Sequence, residues 1–161
     1  MSPFAVVTQY VRMLENLDAW LDTAASHAKE KGFDPEILVQ SRLAPDQYAL
    51  VQQVQSACDA AKFAAAYLSG QPAPSHPDTE TTLADLHARI ATCTAYLRGF
   101  AAADFTGAEE RRVAPAWMGG NSVVAAQSNT VRSKQLKGLK MEILDVTGGG
   151  ADKKPTVTFK L

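Results

Sequence analysis

The chain has 161 residues, 46% of them hydrophobic and 20% charged, with a formal net charge of −1. This suits one globular domain, or a domain with a tail, and gives no global electrostatic reason to expect nucleic acid or an acidic membrane surface as partner. No apolar run approaches the roughly 18 residues of a spanning helix, and the N-terminus lacks the basic start and compact apolar block of a secretory signal, so the expected address is cytoplasmic.

The first helical pattern places Val6, Tyr10, Met13, Leu17, Leu21, Ala24 and Ala28 at steps of three or four, the spacing of one helix face. Pro3 fits a first turn and Gly32 the position just past the end, so the pattern predicts a helix over 3–31, about 43 Å long at 1.5 Å per residue. Asp34 and Pro35 then supply a cap and a first-turn proline for a short helix through Val39. A second long helix is predicted from about Pro45 and Asp46 to the residue before Gly70, with Leu50, Val54, Ala57 or Cys58, Ala61, Ala65 and Leu68 along one face. The proline-rich string QPAPSHPDT is its loop. A third helix begins at Thr82, where Asp85 can complete a capping box, and carries the stripe Leu83, Leu86, Ile90, Cys93, Leu97 and Phe100.

Three amphipathic helices with short connections predict a mainly α fold, an up-down helical bundle of three long helices and a short one. No comparable fourth helix is predicted after them. The segments LKMEILDV and TVTFKL read instead as two strands around TGGGADKKP, a β-hairpin over about 139–161. Charge divides at the same place. Residues 1–119 hold 9 Lys/Arg against 14 Asp/Glu, and residues 120–161 hold 7 against 3. The organisation expected is a bundle over 1–119 and then a basic tail over 120–161 that forms a short hairpin or stays disordered. Three stripes closed by three helices leave Leu17, Val54, Ile90 and Leu97 incompletely covered, which predicts a homo-oligomer or poor folding.

The strings YVRMLENLDAWLDTAASHAKEKGFDPEILVQSRLAPDQYALVQQVQSACDAAKFAAAYLSG and DTETTLADLHARIATCTAYLRGF resemble the DUF1993 family, related to the DinB-like helical bundles. RLAPDQYALVQQVQ and the DTETT turn carry the most specific part of the likeness, which covers about residues 1–119. It implies a four-helix bundle. Residues 120–161 do not match the long final helix of that family, and the abrupt departure points to an altered reading frame, a retained intron or an alternative splice form, the alternative being a genuine functional replacement.

DinB-like relatives commonly hold a metal with one histidine from the second helix and two from the last. Against that implied ligand set, this chain has only His27, His76 and His87. None is on the second helix, and no two have the i, i+4 spacing of a helical ligand pair. No metal site and no cofactor are expected. His27 near the first helix's end is read as favoured by the helix dipole, His76 as solvated among prolines, and His87 as a partly buried hydrogen-bonded ring.

Gln55, Asp59 and Lys62 stand at steps of four and three, so they share a face of the second helix. Turned inward, a carboxylate beside an amide and an amine can orient a small-molecule ligand; turned outward, Asp59 and Lys62 make a plain surface salt bridge. Arg42 and Asp46 before that helix are read as a pair or a cap. Cys58 and Cys93 are too few for a disulfide framework, form no Cys-x-x-Cys pair, and fall on apolar faces with no sequence-local histidine, which reads as inert core. Trp20 and Trp117 are read as packing residues. The tail's Arg132, Lys134, Lys137 and Lys140 are not interleaved with aromatics, which argues against nucleic-acid binding. The sequence therefore favours an uncharacterised DUF1993-like bundle that is non-catalytic or binds a small ligand. The alternatives are a DinB-like metal-dependent transferase relative that has lost its metal site, and an interaction protein acting through its basic tail.

Overall fold

A computed structural model of the chain describes residues 2–114, 122–125, 142–147 and 156–160. Three long helices dominate it: α1 (Pro3–Lys31), α2 (Leu50–Ser69) and α3 (Leu83–Arg98), with short 3₁₀ helices at Pro35–Gln40 and Ala102–Phe105. The α3 helix packs against both α1 and α2 and forms the centre of the arrangement.

Local chemistry sets the helix ends. The Ala5 N–H donates to Ser2 Oγ at 3.2 Å, closing the start of α1, and Gly32 at φ 76° ends it. The left-handed conformation at Gly32 is one that a side chain disfavours. At the start of α3 the capping box is reciprocal. The Asp85 N–H donates to Thr82 Oγ1 at 3.1 Å, and the Thr82 N–H donates to Asp85 Oδ2 at 2.9 Å.

The start of α2 differs from the expectation. Pro45 and Asp46 belong to a turn, and the helix begins at Leu50. Arg42 causes this: its Nη1 donates to the Pro45 and Gln47 carbonyls at 3.4 and 3.2 Å, while the Leu50 N–H donates to the Ser41 carbonyl at 3.0 Å. The Arg42 guanidinium thus serves the turn carbonyls, and the pairing with Asp46 read from the sequence gives way to them. The short helix at Pro35–Gln40 is 3₁₀, with Asp34 accepting from the Glu36 N–H at 3.0 Å.

The buried face of α1 is rotated from the predicted stripe. Val7, Leu14, Leu21 and Ala28 are buried at a spacing of seven, whereas Tyr10 and Leu17 are only partly buried against the core and Met13 is 53% exposed. A seven-residue seam is what a long helix presents to one close neighbour. Trp20, read as a packing residue, is 66% exposed. On α2 the buried member of the Ala57/Cys58 alternative is Cys58. The α3 stripe is buried as predicted, through Phe100.

The expectation that Val54, Ile90 and Leu97 lie uncovered is not met, for they are 1%, 2% and 2% exposed. The core receives cover from outside the long helices: Phe105, Ala108 and Ala125 are all buried in it. Ala125 comes directly after a two-residue antiparallel pairing of β1 (Arg112–Val113) with β2 (Val123–Val124), and its N–H donates to the Arg111 carbonyl at 2.6 Å. Farther on, β3 (Glu142–Thr147) pairs antiparallel with β4 (Thr156–Lys160), forming the hairpin anticipated there. Trp117, Arg132, Lys134, Lys137 and Lys140 lie outside the described residues.

Candidate functional site

Of the three polar residues singled out on α2, Lys62 is buried and Gln55 and Asp59 are partly buried. Lys62 is 3% exposed, and burial of an ammonium group is costly unless it is paired. The partner is Asp59, whose Oδ1 lies 2.7 Å from Lys62 Nζ. The same ammonium sits 4.6 Å from the centroid of the Phe63 ring, a cation–π contact.

Asp59 Oδ1 also accepts from Arg89 Nη2 at 2.9 Å. Arg89 is the hub of the site. It projects from α3 and its side chain is 3% exposed. Its Nη1 reaches the loop before α3, with Glu80 Oε1 at 3.0 Å, Asp78 Oδ1 at 3.2 Å, and the Pro77 and His76 carbonyls at 3.1 and 3.3 Å. Gln55 closes the circuit by donating from Nε2 to Glu80 Oε2 at 2.8 Å. The three sequence-predicted residues are therefore brought together, but as parts of an ionic cluster that ties α2, the loop and α3 to one another.

The electrostatics arise from this pairing. Burial alone would raise the Glu80 carboxyl, yet hydrogen bonds from Gln55 and from backbone, together with the Arg89 guanidinium, hold it below the usual carboxylate range. Arg89 is held more firmly charged: burial opposes its charge, but Glu80 and Asp59 outweigh burial. The His76 imidazole is pushed down, first by burial and then by the positive charges of Lys62 and Arg89, so its neutral form is favoured.

Beside the cluster opens a cleft of about 290 Å³, lined by His76, Pro77, Thr79 and Glu80 from the loop and by Asp85, Ala88, Arg89 and Thr92 from α3. Gln55, Asp59 and Lys62 are not on its wall; they reach it through Glu80 and Arg89. Two atoms of the wall residues, His76 Nδ1 and Arg89 Nε, are buried with no hydrogen-bond partner among the described residues. The reading of His76 as merely solvated is thereby corrected.

Sequence reasoning missed Arg89, Glu80 and His76. A signal for Arg89 was present, because it stands three residues after Leu86 and four before Cys93, both on the buried stripe of α3. A charged residue at a stripe position needs buried partners, and the acidic DTETT loop lies immediately before that helix. His87 has the partly buried, hydrogen-bonded environment expected, with Nδ1 2.6 Å from Asp18 Oδ1 and Nε2 3.6 Å from Asp22 Oδ1. His27 is exposed on the last turns of α1.

The DUF1993 family model, described as a domain of unknown function, matches residues 4–136. The chain belongs to the DUF1993 family. The match runs past Gly119 to residue 136 and leaves 137–161 unmatched. Among solved structures, a DinB family member protein from Shewanella denitrificans is similar. It is 44% identical, with a TM-score of 0.71, over 75% of this chain and 69% of that one. No curated protein matches.

The three-histidine metal site implied by the DinB likeness does not fit these residues. The α2 helix contains no histidine, both ring nitrogens of His87 face carboxylates of α1, and no group of three or more His, Cys, Asp or Glu side chains among the described residues could hold a metal ion. No helix among the described residues is long and apolar enough to cross a membrane.

Proposed function

We propose that this DUF1993 protein is a non-catalytic bundle that binds a small polar molecule in the cleft between the 71–82 loop and α3. One observation carries this reading: Arg89, Glu80 and His76 line one cleft, and Arg89 Nε and His76 Nδ1 are buried behind it without partners among the described residues. An unmet buried polar group costs about 1–3 kcal/mol, and a hydroxyl- or carbonyl-bearing ligand would offset that cost by accepting from Arg89. Glu80, held ionised, supplies an acceptor on the same wall. Asp59, Lys62 and Gln55 serve this site as positioning residues, because they fix Arg89 and Glu80 from behind.

The non-catalytic reading is supported by the engagement of two of the polar groups on the cleft. The Asp85 carboxylate is engaged by the Thr81 and Thr82 N–H groups, and the Thr92 hydroxyl donates to the Ala88 carbonyl at 2.8 Å. Neither hydroxyl nor carboxylate is poised with a base as an activated nucleophile would be.

A thermal-shift screen of small polyols, carboxylic acids and amides against wild type, Glu80→Gln and Asp59→Asn tests the proposal. Hits that stabilise wild type and lose most of their shift in Glu80→Gln support it. Hits that shift all three proteins equally refute it. We propose further that the chain self-associates through α1, where Met13 and Trp20 are exposed one heptad apart; sedimentation mass for wild type and Trp20→Ala decides between a monomer and an assembly.

A further inference from the structure

Cys58 and Cys93 come from different helices and are 35 residues apart in the chain, yet they meet in the α2–α3 seam. Both are free and fully buried. The Cys93 thiol donates to the Cys58 carbonyl oxygen at 3.3 Å, which places the Cys93 sulfur against the backbone of its partner residue. This contact brings the two residues together across two packed helices, the juxtaposition a disulfide requires, unlike two cysteines whose Cα atoms lie far apart.

We propose that Cys58 and Cys93 form an oxidisable dithiol that a peroxide converts into an intramolecular disulfide joining α2 to α3. The Cys93 sulfur attacks one peroxide oxygen. The O–O bond breaks, the sulfur loses two electrons to become a sulfenic acid, and with hydrogen peroxide the other oxygen leaves as water. The Cys58 sulfur then attacks the sulfenic sulfur, the S–O bond breaks, and water departs carrying the Cys58 proton. Two thiols and one hydrogen peroxide give one disulfide and two waters.

Cys93 is the first attacker because it follows the cleft-lining Arg89 and Thr92 on α3. Its thiol is pushed down by hydrogen bonding with Cys58 and by the positive charges of Lys62 and Arg89, against the opposing effect of burial. Cys58 is pushed the other way, by the hydrogen bond to Cys93 and by burial. Both thiols are fully buried, so even a molecule as small as a peroxide reaches them only when the fold opens locally beside Arg89 and Thr92, which line the cleft one turn before and one residue before Cys93. Local opening of the loop that Arg89 fastens makes this access available.

The experiment treats the full-length reduced protein with hydrogen peroxide under native conditions, then maps peptides and measures intact mass. The expected result is a Cys58–Cys93 linked peptide, a chain lighter by two hydrogens, and equal loss of both thiols. The unfolding midpoint should rise by about 5 °C or more, because the cross-link restricts the unfolded chain. In Cys58→Ser, or in Cys58→Ala if the serine variant folds poorly, a sulfenic acid trappable with dimedone should accumulate on Cys93. Retention of both free thiols in the wild type overturns the proposal, as does the appearance only of over-oxidised Cys93 or of chain-to-chain disulfides. The wild-type measurement stands whether or not either variant folds.

Discussion

The α3 helix has two seams of opposite character. It packs on α1, whose buried residues Val7, Leu14, Leu21 and Ala28 form an apolar row of one heptad period. Toward α2 and the 71–82 loop it buries Arg89 and Lys62 with Asp59 and Glu80 between them. The apolar row of the first seam is non-directional and tolerates exchange of one aliphatic side chain for another of similar volume, its ion pairs His87–Asp18 and Arg98–Glu15 lying at the partly exposed rim. The second is directional: each charge is tolerated only while its partners stay in place, so removal of one member harms the rest. One helix thus carries a seam that supplies stability and a seam that fixes which loop lies where.

The contrast between the seams is tested most severely at Arg89. Arg89→Met leaves Glu80, Asp78 and Asp59 without their shared cation and is expected to lower unfolding free energy by about 3–5 kcal/mol, read by urea denaturation. A loss under about 1 kcal/mol would mean that the cluster is solvated and the two seams do not differ in kind. Next, Leu21→Ala in the apolar seam should cost about 2–5 kcal/mol through lost burial and an unfilled cavity. Its partner test, Leu21→Met, should cost under about 1.5 kcal/mol, whereas Arg89→Lys should not be rescued to the same degree, because ammonium cannot reproduce the fork that reaches both Glu80 and Asp59.

Acid separates the seams again. Glu80 is depressed below its ordinary value of 4.5, so the unfolded chain binds the proton more readily, and the stability it contributes is fully present above pH 4.5 and lost as pH falls through the lower folded value. His76, depressed from 6.5, acts in the same sense: its neutral form is favoured in the fold, so stability falls as pH drops below 6.5. Glu80→Gln should remove the lower part of this acid dependence, while the apolar-seam variants keep it. A Glu80→Gln profile that overlays wild type between about pH 2.5 and 5 would show that other carboxylates carry the acid response. The smallest effect is expected at Trp20. Trp20→Ala should change stability by no more than about 0.5 kcal/mol, and any larger loss measured at high protein concentration reports a contact between chains.

The same division explains what was readable in the sequence. The extents of α1 and α3 and the end of α2 were legible, because Pro3, Gly32, Gly70 and the Thr82–Asp85 box are local signals whose partners lie within one turn. The α3 stripe was legible through its period alone. The α1 face was misjudged by about one residue, since Val6 and Val7 are both apolar and only the position of α3 chooses between them. The start of α2 was misplaced, because the Arg42 side chain holds the preceding turn by contacts that no propensity records. At the site, the α2 members Gln55, Asp59 and Lys62 shared a face by spacing, but their burial depended on Arg89 and Glu80, which arrive from 30 residues and 25 residues away in the chain. A buried ion cluster and a solvated charged face are written with the same letters.

The end of α2 has a mechanical consequence. Gly70 stands at φ 76°, and a Cβ there would lie 2.9 Å from Arg111 Nε; Arg111 donates to the Leu68 carbonyl and, through Nη2, to the Thr106 carbonyl at 3.0 Å. One residue on, Arg112 grips Ser122 through Nε and Nη2 at 3.1 and 2.9 Å. Tension applied to the chain beyond Ala125 is therefore borne first by the two-residue β1–β2 ladder and the Arg112 grip, then by the Arg111 clasp on α2, and only afterwards by the seams of α3. The pair of arginines works as a strain relief, like the collar where a cable enters its housing, so a pull on the later part of the chain is taken up by these contacts and by the buried Ala125 before the seams of α3 bear load.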